Sequence, residues 1–300
     1  MKKSLLLLAA LVLISAFASA LAQNGEGPPK VLAITREEIK PGMMPAHNRH
    51  SAAFVGIFNK LQTRNYRIAM VPVAGNENEV LYVTPCDSFA EVENVFADTE
   101  KKMAGASGPV KAQLAWLEKE APDLHSAMRD MLLTYRSELS FNPGVDIPKM
   151  RYFAITTIRV RPGHDAQYSD YVQKLVNVAR QKAKADNLHI AVFQVLSGAP
   201  GGTYMAFRPL RSLAEMDDPI GMRVRAAMGD DQRKDADKAA GEAIISSETA
   251  TYMFAPRMSY VPKEMAAGDP AFWNPKPEPP PRPRPKKRAA KAVAPPPPTE

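Results

Sequence analysis

Two histidines three residues apart, His47 and His50, are the side chains best suited to chemistry in this 300-residue sequence. Pro45 opens a stretch whose stripe His47, His50, Phe54, Phe58 and Leu61 steps by three and four. That spacing predicts a helix to about Gln62 with both imidazoles on its apolar face. Imidazole can act there as a general base or as a ligand to haem or a metal. Two hydrogen-bonded helix-start residues would read the same, and no third ligand stands nearby in the sequence. His125, His164 and His189 fall on an expected inserted helix, a turn and a strand start, and make no triad with serine or cysteine. Gly198–Gly202 join two expected strands, so they form a hairpin rather than a phosphate loop. Asp217-Asp218 and Asp230-Asp231 flank expected helix starts, where the helix dipole favours carboxylates. The lone Cys86 can form no internal disulfide and is expected to be a small buried residue. No catalytic set and no metal ligand set is assigned.

The elements that must position these residues occur twice. Val31–Gly42 (VLAITREEIKPG) returns as Tyr152–Gly163 (YFAITTIRVRPG) at a shift of 121, and Ser88-Phe89-Ala90-Glu91 returns as Ser212-Leu213-Ala214-Glu215. In the first copy, residues 31–143, strands are predicted over Val31–Ile39, Tyr66–Val73 and Glu79–Thr84. A capping box at Ser88 starts a second helix to about Met103. Two short helical patterns, Val110–Lys119 and Asp123–Leu133, lead to a closing strand Tyr135–Phe141. The second copy, residues 150–262, repeats this order: strand Met150–Arg161, helix Asp165–Ala185, strands Ile190–Leu196 and Thr203–Arg208, helical Pro219–Ile245 and closing strand Thr251–Val261. The shift places Tyr168 and Tyr171 where the first copy has His47 and His50. These four side chains are the ligand-pocket candidates, with ordinary packing the alternative reading of both tyrosines.

Each copy therefore runs β-α-β-β-α-β, an α+β ferredoxin-like unit with helices on one face of an antiparallel sheet. Two copies can pair their bare sheet faces into one intramolecular α/β barrel with extra helices. On the element order, the Ile39–Gly42 and Val160–Gly163 openings and the Ser-x-Ala-Glu starts, residues 31–262 resemble the dimeric α/β barrel superfamily. The likeness is greatest to its antibiotic-biosynthesis-monooxygenase and NIPSNAP-like branch. The resemblance implies a ligand cavity near the start of the first helix. It brings cofactor-free monooxygenases, haem proteins and proteins without a known reaction into view. The asparagine-tryptophan-histidine set of haem-degrading members is missing, Trp116 lying in an inserted helix and Trp273 in the tail. No cofactor is expected, a haem or a metal at His47 and His50 being the alternative. The expected function is an exported tandem barrel that binds a small apolar or aromatic ligand or acts as a scaffold. A cofactor-free or haem-dependent monooxygenase-like oxidoreductase with its pocket in the first copy is the alternative.

Residues 1–22 read as a signal peptide: Lys2 and Lys3, an apolar Leu5–Ile14, and a small-x-small site ending at Ala22. They place the protein in the bacterial periplasm or outside the cell. The net charge of +7 is concentrated at the two ends; the body between them holds 30 basic and 30 acidic residues. A neutral body carries no footprint for nucleic acid. Residues 263–300 are expected to be a disordered Pro/Lys/Arg-rich tail, whose run Pro285-Lys286-Lys287-Arg288 could touch an anionic envelope surface. A fused pair of sheets allows a monomer or a homodimer.

Overall fold

The computed structural model describes residues 27–275. The expected signal peptide and the basic run of the tail lie outside them. Eight strands close into one antiparallel barrel in the order β1-β3-β2-β8-β5-β7-β6-β4. They are β1 (Val31–Ile39), β2 (Ile68–Ala74), β3 (Glu79–Cys86), β4 (His125–Tyr135), β5 (Tyr152–Val160), β6 (Ala191–Ser197), β7 (Thr203–Leu210) and β8 (Ile244–Phe254). The helices around the barrel are α1 (Met44–Leu61), α2 (Phe89–Ala104), α3 (Gly108–Leu124), α4 (Asp165–Asp170), α5 (Asn177–Lys182), α6 (Ile220–Ala226), α7 (Asp230–Ala243), α8 (Lys263–Gly268) and α9 (Pro270–Trp273). Within each repeat the sheet order is that of a ferredoxin-like unit, and each closing strand also crosses to the other repeat. β4 pairs with β1 and β6, and β8 pairs with β5 and β2. Closure leaves no sheet edge to aggregate. Both repeats enter their first helix through a Pro-Gly turn in which Gly42 (φ 80°) and Gly163 (φ 82°) take the left-handed conformation that side chains disfavour.

The closing strands lie one element earlier than the sequence pattern predicts. Asp123–Leu133 is not a helix: α3 (Gly108–Leu124) ends at His125, and β4 begins there. Tyr135–Phe141 is mostly a 3-10 turn with one isolated bridge, Phe141 to Ile190. The second copy shows the same shift, α7 (Asp230–Ala243) running directly into β8. Met131 and Leu133 enter the barrel core while Leu132 packs outside, so a two-sided strand mimics a continuous helical stripe. The second capping box starts a 3-10 turn, Leu213–Met216, rather than a long helix. In the first, Glu91 reaches back to the amide of Asp87 and not to that of Ser88. Residues 263–275, expected to be disordered, fold as α8 (Lys263–Gly268) and α9 (Pro270–Trp273). Trp273 is 4% exposed beside Phe254, its indole N–H donating to the carbonyl of Pro148.

Alternation sorts every strand. On β1, Leu32 and Ile34 point into the barrel, while Val31, Ala33, Glu37 and Ile39 point outward under the helices. The lumen is a packed core built from Met70, Leu81, Phe153, Phe207 and Phe254 among others. One end of it is ionic, where Tyr252 and Arg36 converge on the buried carboxylate of Glu79. The other end is apolar and holds a cavity of about 90 Å³, lined by Phe153, Phe193, Phe207 and five prolines.

Candidate functional site

The first helix, α1 (Met44–Leu61), lies against the outer face of the sheet, and α3 packs beside it through Ile57, Leu114 and Leu117. Its stripe therefore faces protein on two sides. His47 is fully buried and His50 is 4% exposed. His47 sits one turn inside the helix, directly over Glu37 of β1, with its Nε2 2.7 Å from Glu37 Oε2. His125, at the junction of α3 and β4, brings its Nε2 to 3.2 Å from the same oxygen. The three ligand atoms lie within 4.8 Å of one another. His125 Nδ1 donates to the carbonyl of Ala121, 2.9 Å away, and this fixes the ring. Ser51, one turn after His47, places its hydroxyl 3.5 Å from His47 Nε2 and bonds the phenol of Tyr82. His50 turns away from the carboxylate and donates from Nε2 to the carbonyl of Leu117 at 3.0 Å. Its ring meets Phe54 and His125 edge-on.

Burial by itself would raise the Glu37 carboxyl. The hydrogen bonds and charges of His125 and His47 outweigh it and hold the group down at about 2. The Glu37 hydrogen bond raises His125 against the opposing cost of burial. Burial pushes the Tyr82 phenol up, and the Arg67 guanidinium stacks 4.3 Å above its ring. The arrangement is a carboxylate held ionised between two imidazoles in a nearly dry layer.

The sequence pattern finds one member of this cluster and misses two. Glu37 was legible in principle, as a charged residue on the alternating strand face that a helix must cover. His125 was hidden by the reading of residues 123–133 as a helix. The remaining histidines stand apart: His164 Nδ1 is paired with Gln167 and His189 Nδ1 with the carbonyl of Asn142.

Tyr168 and Tyr171 occupy the matching place in repeat 2, on α4 (Asp165–Asp170) and on the π-helical turn Tyr171–Val176 that follows it. Tyr168 is 4% exposed and packs on the ring of Tyr204, 4.9 Å between centroids. Tyr204 donates to Asp165 at 2.8 Å, and burial with that carboxylate pushes its phenol up to about 12. Tyr171 is half-buried at the edge of the same cluster. Cys86 is buried, and burial with Glu91 and Asp87 pushes its thiol up to about 12, an unreactive state.

A haem does not fit at His47 and His50. The Nε2 of His50 is committed to Leu117, that of His47 to Glu37, and both rings are enclosed by α1, α3 and the sheet. Neither the apolar mouth of the lumen nor the groove beside Phe89 and Phe96 touches them.

No family model matches the sequence, and no curated protein matches it either. Solved structures align with the chain at low identity and with TM-scores below 0.5. An anthrone oxidase-like protein has a TM-score of 0.47 at 12% identity, over 76% of this chain and 92% of its own. A monooxygenase candidate from Fusobacterium nucleatum subsp. nucleatum gives 0.45 at 9%, over 75% and 92%. A mutant chlorite dismutase from Candidatus Nitrospira defluvii in complex with cyanide gives 0.46 at 9%, over 79% and 95%. None of them is similar enough to lend this chain an activity.

Proposed function

We propose that the protein is an exported α/β barrel that binds a small apolar or aromatic molecule at the apolar mouth of its lumen. The observation that carries this reading is the cavity itself. Pro28, Pro85, Pro143 and Pro209 offer no backbone donor, and Phe153, Phe193 and Phe207 present ring surface. A site so poor in hydrogen-bonding groups selects by shape and apolar area. Export rests on the N-terminal residues 1–22. Its strand-Pro-Gly-helix openings and Ser-x-Ala-Glu starts support reading the chain as a tandem duplication nearest the antibiotic-biosynthesis-monooxygenase and NIPSNAP-like branch.

The test is calorimetric titration of mature protein with benzene, a single-ring probe on the scale of a cavity of about 90 Å³. Saturable binding is expected in wild type and its loss in Ala191→Trp, which fills the mouth from β6, with circular dichroism unchanged. Absence of saturable binding, or equal binding by the filled variant, would sink the reading.

A second reading is favoured by the buried carboxylate between two imidazoles in repeat 1: monooxygenase-like chemistry without haem. Oxygen uptake with electron-rich phenols, lost in His47→Gln, would support it; uptake indifferent to that change would remove it.

A further inference from the structure

We propose that Glu37, His47 and His125 form a binding site for a divalent transition-metal ion of the iron-to-zinc series. The site is separate from the apolar mouth and stands whether or not a ligand binds there. Three elements supply one ligand atom each: Glu37 Oε2 from β1, His47 Nε2 from α1 and His125 Nε2 from the start of β4. Metal bonds of about 2.0–2.2 Å place neighbouring ligand atoms about 3.0–3.5 Å apart. The His125–Glu37 separation of 3.2 Å lies inside that range, and the His47–Glu37 separation of 2.7 Å needs only a few tenths of an ångström more.

The orientation of His125 carries the argument further. A backbone carbonyl can only accept, so the 2.9 Å contact with Ala121 puts a proton on Nδ1. In a neutral ring the Nε2 lone pair would then face the Glu37 carboxylate directly. Something positive has to lie between them, a second ring proton in the metal-free protein or a metal ion when one is bound, and a metal-ligating imidazole braced through its other nitrogen by a carbonyl is the usual arrangement. Two imidazoles and one carboxylate with positions left open suit iron-series ions and zinc, and suit calcium or magnesium poorly.

The second repeat shows that the fold does not require these groups. The β1 and β5 registers are equivalent, Glu37 lying opposite Val80 and Ile158 opposite Tyr204. After a bulge in each, Ile39 faces His125 and Val160 faces Ile244. The matching residues are thus Ile158, Tyr168 and Ile244, which pack as an apolar cluster. Burying a carboxylate and two imidazoles is costly, and repeat 2 reaches the same architecture without that cost.

The experiment is a Co²⁺ titration of untagged, metal-free mature protein, followed by its visible ligand-field bands and by competition with Zn²⁺. Saturation at one equivalent is expected, with Glu37→Gln and His125→Gln each weakening binding about 100-fold or more. His50→Gln and His164→Gln leave it intact. Glu37→Ile with His125→Ile introduces the repeat 2 residues; it should fold by circular dichroism and show no bands. A parallel thermal melt should show Zn²⁺ raising the Tm of wild type and not of Glu37→Gln. Wild type that takes up no Co²⁺, bands that persist in the double variant, or loss of binding in His164→Gln would each overturn the site.

Discussion

The two repeats use one architecture and fill the same niche with opposite chemistry. Under the first helix of repeat 1 lie a carboxylate, two imidazoles, a serine and a phenol. Under the helix of repeat 2 the matching strand positions are Ile158 and Ile244, and Tyr168 and Val172 hang from the helix. The phenols are exchanged as well. Tyr82 rises from β3 in repeat 1, opposite Thr35, whereas Ala206 stands at that register opposite Thr156, and the buried rings are Tyr204, two residues earlier on β7, and Tyr168 from the helix. The barrel fixes where a side chain must be buried and leaves open whether burial is met by apolar packing or by a closed set of charge-assisted hydrogen bonds.

The sharpest way to break the comparison is to move the charge without its partners. Ile158→Glu buries a carboxylate where no histidine faces it, and should cost about 3–5 kcal/mol in urea unfolding at neutral pH. A cost under ~1 kcal/mol would mean that the repeat 2 niche is already wet. The reverse change, Glu37→Ile, leaves the His47 donor without its acceptor and should cost about 1–3 kcal/mol. Adding His125→Ile should recover part of that cost, and the double-mutant cycle measures the coupling directly. Additive costs would show that Glu37 and His125 are not coupled.

A third test separates the repeats by pH. In metal-free protein Glu37 sits well below its ordinary value of 4.5, so its contribution is complete above that value and is lost as pH falls toward about 2. His125 sits above its ordinary 6.5, so its contribution is complete below 6.5 and is lost as pH rises through the elevated value. Stability should therefore be greatest between about pH 4.5 and 6.5. The slope above pH 6.5 should vanish in Glu37→Ile with His125→Ile. A slope that survives in that variant would assign it elsewhere. The smallest effect expected is that of Tyr204→Phe, which removes one hydrogen bond to Asp165 and should cost about 1 kcal/mol with no change in pH profile.

Much of this was legible along the chain because the signals are local. The Pro-Gly turns need a left-handed residue, the strand before each alternates, and the stripe from His47 to Leu61 keeps a helical period. Each survives into the structure within a residue or two. The closing strands were not legible in the same way. Ser126–Asp130 is exposed on a strand that outruns its covering, and Met131, Leu132 and Leu133 face alternately into the lumen and into the helix layer. An apolar run buried on both faces has no period of two to detect. Trp273 was equally hidden, since it stands beside proline-rich sequence and is ordered only by Phe254 and Pro148 far away in the chain.

By itself the sequence determined the two matching strand-turn-helix openings, the ferredoxin-like order of elements and the placement of His47 and His50 on a buried helix face. These follow from periodicity and turn chemistry, which act over a few residues. Tertiary structure alone decided that His47 and His50 part ways, one to Glu37 and the other to Leu117, and that His125 completes the cluster. That choice depends on a strand ten residues before His47 and a strand start 78 residues after it converging on one helix turn. A buried charge is stable only where such distant partners meet, and no local pattern records where that will be.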